Sequence, residues 1–227
     1  MRWRWAIVIA IGIYCVWGAL LIAQNPGLQY DEAFLVAGAA RMLHAAAPFD
    51  IPGSAVWVHA FHHLFPLMGG GQSYVGAVKD YLVLPFFALF GPSAAVVRVI
   101  SMLLGAVGIW GIWKLIRQET GSGPAMAAAL ILAMNPAYIN MTVFDNNAFP
   151  GFMAALGLVC ASLAGYLRRR TAAAALLLGL AMGFGVWARA NFIWLLAAGG
   201  AAALIVYGRR ALAPAPHWVA IACGGIL

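Results

Sequence analysis

The sequence predicts an all-α, polytopic transmembrane bundle of about six to seven membrane spans, forming one membrane domain over residues 1–227, and three observations carry the prediction. Hydrophobic residues make up 65% of the chain and charged residues only 8%, with a mean hydropathy of +0.92, far outside the range of soluble domains. Apolar stretches of about 20 residues recur, the length a helix needs to cross a hydrocarbon core of about 30 Å. Period-two alternation of the barrel kind is missing, which leaves helices as the class that can satisfy its own backbone in lipid.

Arg2 and Arg4 precede about 20 apolar residues ending at Gln24. That run is longer than a signal-peptide core, and Gln24-Asn25-Pro26 is a poor cleavage site, so residues 1–24 read as a retained first span with a cytoplasmic N-terminus. Residues 25–93 carry Pro26, Pro48, Pro52, Pro66 and the run Gly69-Gly70-Gly71 together with four histidines and most of the acids. They read as a long outer loop carrying interfacial helices. Asp31 to about Ala45 suits one such helix, with Asp31 as N-cap and Glu32 in the first turn. Tyr81–Phe90 is too short to span and reads as a second helix lying along the membrane.

The remaining spans occupy 94–227. Ala94–Arg117 forms the second and Gly123–Ile139 the third, and Asn140–Asn147 is a short outer loop. Phe149–Leu167, Ala172–Ala188 and Phe192–Tyr207 follow, and His217–Leu227 begins a seventh that is incomplete. Arg2, Arg4, Lys114, Arg117, Arg168, Arg169, Arg170, Arg209 and Arg210 all then face the cytoplasm, as the positive-inside rule requires. Arg41, Lys79, Arg98 and Arg189 fall at the opposite face with every acid except Glu119. The net charge of +7 is thus spread between spans rather than gathered into a nucleic-acid surface. Cys15, Cys160 and Cys223 stand alone in apolar segments, with no metal or redox spacing.

Positive-inside bias does not explain why charges of both signs gather on the outer face. Intramembrane or interfacial charges of this kind mark functional sites. Asp31, Asp145, Lys79, Arg98 and Arg189 come from separate segments that the topology returns to one face. Two carboxylates with several cations suit the deprotonation of a hydroxyl while a phosphate leaves from a lipid, its growing charge compensated by the cations. A structural alternative has the cations snorkelling or pairing with acids, and Asp145 capping the span that follows it.

Tyr30-Asp31-Glu32 after a first span resembles the Asp-Glu motif in the first outer loop of protein O-mannosyltransferases and related GT-C glycosyltransferases (the family 39 type). Gly76-Ala77-Val78-Lys79-Asp80-Tyr81 through Leu89-Phe90-Gly91 and Val97-Arg98 resembles the lysine-led amphipathic helix and arginine-bearing second span of bacterial members. Thr142-Val143-Phe144-Asp145 resembles the second outer-loop aspartate of the lipid A aminoarabinose transferases. Lys79 is followed by Asp80 where many such proteins have proline, and they continue with further spans, so the chain reads as an N-terminal membrane module.

The resemblance implies a membrane glycosyltransferase that uses a polyprenyl-phosphate-linked sugar donor and inverts the anomeric centre. Asp31 would be the general base on a lipid, glycan or protein acceptor, supported by Glu32. Lys79, Arg98 and Arg189 would hold the donor phosphate, and Asp145 would orient the acceptor or a ligand. The expected location is the cytoplasmic (inner) membrane with the site on the outer face. His59, His62 and His63 have spacing that would put two of them on one helix face, as interfacial substrate contacts or ligands of a divalent metal; no cofactor is otherwise implied. A transporter and a non-catalytic membrane scaffold are the rival readings. The charges sit at one face rather than at the midplane, and no internal repeat is visible, which argues against a transporter.

Overall fold

The structure is a computed structural model that describes residues 3–44, 57–60, 63–68, 74–208 and 214–226. It is a helical bundle: α1 (Trp3–Gln24), α2 (Tyr30–Leu35), α3 (Ala37–His44), α4 (Val78–Phe90), α5 (Ala94–Thr120), α6 (Ser122–Met134), α7 (Pro136–Val143), α8 (Phe149–Arg169), α9 (Ala172–Ala188), α10 (Phe192–Tyr207) and α11 (Ala215–Ile226). Large apolar side chains face outward along it, Ile9 at 59%, Ile131 at 66% and Ile205 at 84% exposure among them. Such a surface fits lipid and not water.

Among the described residues three helices, α1, α5 and α8, are long and apolar enough to cross a membrane, and α6 with α7 makes a fourth if the bent pair counts as one span. The six or seven spans read from the sequence include α9, α10 and α11, apolar helices of 17, 16 and 12 residues. The third span differs from the sequence reading: it breaks between Met134 and Pro136 with a bend of 62°. Asn135 explains the break, because its side chain accepts from the N–H groups of Ala137 at 2.9 Å and Tyr138 at 3.1 Å. Pro136 then occupies the first helical position, where its missing N–H costs nothing. Helix continues to Val143, so the expected loop from Asn140 shrinks to a 3-10 turn, Asn146–Ala148.

The long segment before α5 also differs in part. Helices lie where two were expected, but Val36 interrupts the first of them, and Gln29 rather than Asp31 is its N-cap. A hairpin not foreseen from the sequence pairs β1 (Trp57–Ala60) with β2 (His63–Pro66) antiparallel, in register His59↔Leu64 and Ala60↔His63. The helical spacing argument for the histidines therefore fails at His59 and His63. His62, Asp50 and the triple glycine lie outside the described residues.

Helix α5 is the spine. It packs most extensively on α8, where small residues bring the two backbones together: a Cβ on Gly111 would fall 1.8 Å from the Gly157 carbonyl oxygen. Against its other side lie α1, α6 and α7, with Tyr14, Ile109, Ala129 and Val143 fully buried between them. Tyr14 and Thr142 share a hydrogen bond of 2.7 Å, and Tyr138 donates to the Gly105 carbonyl at 2.7 Å. These polar ties between apolar helices fix the end of α7, and so the position of Asp145.

Candidate functional site at one end of the bundle

The charged residues converge where α5 and α8 begin and α9 ends. Glu32 sits at the third position of α2, and its Oε2 accepts from the Gln29 N–H at 2.8 Å, closing the first turn. The same carboxylate takes a two-pronged bond from Arg98 of α5, Nε to Oε1 and Nη2 to Oε2, each 2.8 Å. The guanidinium also donates to the carbonyls of Asn25 and Gly27 and lies 4.6 Å from the Phe144 ring centroid. Arg98 is 1% exposed. Its partners are the acid and the carbonyls that hold the start of α2 on the bundle.

Lys79 and Asp145 form the second buried pair, joining α4 to the α7–α8 junction. Asp145 is fully buried, and burial pushes its carboxyl above the ordinary range; the Lys79 ammonium opposes the rise, and the nearby Glu32 and Asp31 carboxylates add to it. Its Oδ1 is buried with no hydrogen-bond partner among the described residues. The next residue along, Asp80, turns the other way. It accepts from the Ala39 N–H at 2.7 Å, so the carboxylate stands at the N-terminus of α3, where the helix dipole favours an anion. Burial raises its pKa to about 7.

Asp31 is different from these three acids. It is half-buried, and the hydrogen bond it accepts comes from the Asn147 backbone N–H at 3.3 Å. Asn147 in turn accepts from the Tyr74 hydroxyl at 3.3 Å through its side chain, and the Arg189 guanidinium lies 5.8 Å from the Tyr74 ring centroid. A line of contacts thus runs from Asp31 to Arg189. The Arg189 Nε is buried without a hydrogen-bond partner among the described residues, and its guanidinium also faces Phe152 at 6.0 Å. Residue 189 is held by its backbone: Val75 pairs with it as an isolated bridge, and Ala190 N–H donates to the Tyr74 carbonyl at 2.8 Å. Gly76 permits this approach, since a Cβ there would meet the Trp187 carbonyl oxygen at 1.7 Å.

The turn that carries Asp145 and Asn147 is left-handed at three residues, Asp145 (φ 47), Asn147 (φ 55) and Ala148 (φ 57). Asp and Asn tolerate this region, whereas alanine holds it only against a cost of about 1–2 kcal/mol. The turn re-aims the chain between α7 and α8 and presents the Asn147 amide to Asp31. Asp145 does not cap α8; the residue at that N-cap is Ala148. The structure thus brings together Asp31, Glu32, Lys79, Arg98, Asp145 and Arg189, as the topology argument expected. Tyr74 and Asn147 were missed by the sequence reading, although Asp145-Asn146-Asn147 before a proline at 150 is the composition of a tight turn. No cluster able to hold a metal ion is present among the described residues.

A sequence model of the dolichyl-phosphate-mannose-protein mannosyltransferase family matches residues 76–226. The match includes Lys79, Arg98, Asp145 and Arg189 and begins after Asp31 and Glu32. No curated protein and no solved structure matches the chain. With more than half of its length covered by that match, and with a helical bundle apolar enough to lie in a membrane, the chain belongs to the dolichyl-phosphate-mannose-protein mannosyltransferase family, which consists of membrane glycosyltransferases of the mannosyltransferase type.

Proposed function

We propose that the chain transfers a sugar from a polyprenyl-phosphate donor to a hydroxyl-bearing lipid, glycan or protein acceptor, with Asp31 as the general base. The carrying observation is that, of the described acids at this end, Asp31 alone is neither ion-paired nor set at a helix N-terminus as a cap. Glu32 is matched to Arg98, Asp145 to Lys79 and Asp80 to α3. A half-buried carboxylate with one weak bond is accessible to an acceptor hydroxyl and can take its proton.

In the proposed reaction the acceptor oxygen loses its proton to Asp31 and attacks the anomeric carbon. The bond from that carbon to the phosphate oxygen breaks on the opposite side, which inverts the centre and needs no covalent intermediate. A phosphate monoester has a second pKa near 6 and leaves without a general acid; what it requires is positive charge. Arg189 is the best-placed cation for this, because its Nε lacks a partner among the described residues and an unpaired buried donor is costly unless a ligand fills it. Lys79 is the second, through the ammonium it shares with Asp145, whose Oδ1, unpartnered among the described residues, would orient the acceptor. Arg98, committed to Glu32 and two carbonyls, positions α2 and hence Asp31.

The site is assigned to the outer face of the cytoplasmic membrane, with the N-terminus inside, because the basic residues of 114–117 and 168–170 crowd the other end of the helices. Native mass spectrometry of the purified chain tests the donor class. Wild type and Asp31→Asn are expected to retain a polyprenyl phosphate or its sugar conjugate, and a Lys79→Ala/Arg189→Ala chain to lose it. A folded wild type that carries no such lipid would remove the carrier reading.

A further inference from the structure

At the end of the bundle opposite Asp31, a groove of about 920 Å³ opens between α5, α8 and α9. Its mouth carries four cations: Lys114 and Arg117 from α5, and Arg168 and Arg169 from α8. None of them forms an ion pair with a carboxylate among the described residues. Lys114 lies 5.0 Å from the Trp110 ring centroid and Arg117 5.0 Å from that of Trp113, so both are steered along the groove wall. Deeper in, the lining turns apolar with Leu158, Leu177, Leu180 and Phe184, and Leu177 is 61% exposed. Positive-inside topology accounts for basic residues at helix ends, but not for their gathering from two helices around one apolar cleft.

We propose that this groove binds an anionic phospholipid of the surrounding leaflet, its phosphate among Lys114, Arg117, Arg168 and Arg169 and the upper part of an acyl chain against Leu177 and Phe184. The charge pattern selects the occupant: a zwitterionic headgroup would leave the four cations uncompensated, whereas an anionic one matches them and continues into hydrocarbon where the lining does. The site is separate from the donor site and requires only that the bundle lie in a bilayer.

Vesicles of equal parts phosphatidylglycerol and phosphatidylcholine provide the test, with the full chain reconstituted and one lipid or the other carrying a photoactivatable group in its acyl chain. Peptide mapping is expected to find phosphatidylglycerol on the segments flanking Leu158 and Leu177, favoured over phosphatidylcholine by about fivefold or more, since a juxtamembrane Lys or Arg contributes about 1 kcal/mol toward an anionic lipid. Lys114→Gln and Arg168→Gln should each reduce that preference several-fold, and Arg170→Gln, whose side chain stacks on Tyr166 outside the groove, should leave it unchanged. Ala173→Trp fills the mouth without altering charge and should abolish labelling there, which keeps the test valid if a charge variant inserts poorly. Equal labelling by the two lipids, or labelling indifferent to both Arg168→Gln and Ala173→Trp, would overturn the proposal. Displacement by polyprenyl phosphate in preference to phosphatidylglycerol would overturn the assignment to a bilayer phospholipid.

Discussion

Arg98 and Glu32 meet through two parallel hydrogen bonds of 2.8 Å, both side chains buried. The geometry is the fork-to-carboxylate match peculiar to arginine, and it joins the N-terminal span of the spine helix to the short helix that carries Asp31. Arg98→Ala leaves a buried carboxylate unpaired and is expected to cost about 3–5 kcal/mol. Arg98→Lys keeps the charge but loses the fork and the contacts to Asn25 and Gly27, so it should also lower the melting temperature in detergent. If Arg98 instead served the donor phosphate, Arg98→Lys would melt like wild type while lipid retention fell, an outcome that would remove its positioning role.

Replacing Asp31 by Asn separates chemistry from structure. The bond from the Asn147 amide can still be accepted by the new side-chain carbonyl, and no ion pair is broken. Turnover is expected to fall by about 10²–10⁴, the usual contribution of a general base, with stability changed by less than about 0.5 kcal/mol. Asp145→Asn provides the contrast, because it strips Lys79 of its partner and should lower stability and activity together. Product formation by Asp31→Asn at the wild-type rate would reassign the base.

Arg189 tests the phosphate contact. Its backbone is fixed by Val75 and Tyr74, while its Nε has no hydrogen-bond partner among the described residues, so Arg189→Ala loses little of the described native bonding. A hydrogen bond to a charged group contributes about 1.5–3 kcal/mol, which corresponds to a rise of about tenfold to a hundredfold in donor KM. Arg189→Lys should not restore it, since a lysine ammonium lacks the planar, multi-donor guanidinium that faces Tyr74 and Phe152. A variant that changed kcat alone, with donor KM intact, would place Arg189 away from the donor.

Close packing of α5 on α8 makes a further prediction about glycine. A Cβ on Gly111 would sit 1.8 Å from a backbone oxygen of Gly157, so Gly111→Ala must push the two backbones apart, at a cost of about 1–3 kcal/mol. Activity should fall as well, because Arg98 and the turn before α8 depend on the same pair of helices. Gly165 lies in the same helix as Gly157 with open space around it, and Gly165→Ala should be neutral or gain up to about 1 kcal/mol. Equal responses at the two positions, read from unfolding in mixed micelles, would show that the helices are not in contact there.

Much of this arrangement was legible because membrane sequences are strongly constrained. The apolar runs gave α8, α9 and α10 nearly to the residue, since Pro150, the Arg168-Arg169-Arg170 run and the Arg189-Ala190-Asn191 turn punctuate them. Counting charges between runs returned Asp31, Lys79, Arg98, Asp145 and Arg189 to one end. Pairing was not legible: hydropathy cannot say that Arg98 takes Glu32 while Lys79 takes Asp145, because those choices depend on the rotation of α4 and α5 about their axes. The bend at Asn135 was written in the Asn-Pro dipeptide but hidden by the apolar residues on both sides. The β1–β2 hairpin was missed because segments of four residues give no measurable period, and Tyr74 because its role depends on the backbone of residue 189, more than a hundred positions away.

Asp80 links pH to stability. Burial raises its pKa from the ordinary 3.8 to about 7, with the N–H groups of Ala39 and Gly38 and the charges of Lys79 and Arg41 opposing the rise. Between these two values the folded chain holds a proton on Asp80 that the unfolded chain has released. Stability from this group is therefore fully present below about pH 4 and is lost as pH rises toward 7, after which it levels off. Asp145, also raised by burial, acts in the same direction. Asp80→Asn keeps an oxygen to accept from Ala39 and cannot titrate, so its unfolding free energy should fall less steeply across that window than that of wild type. Gly38→Ala gives an independent check on the geometry, since its Cβ would fall 2.6 Å from Asp80 Oδ2 and must displace the carboxylate from the start of α3. The displaced group would reach solvent more readily and titrate closer to 4, flattening the same profile. Parallel pH profiles for wild type, Asp80→Asn and Gly38→Ala would show that Asp80 is ionised throughout, held so by α3 and Lys79.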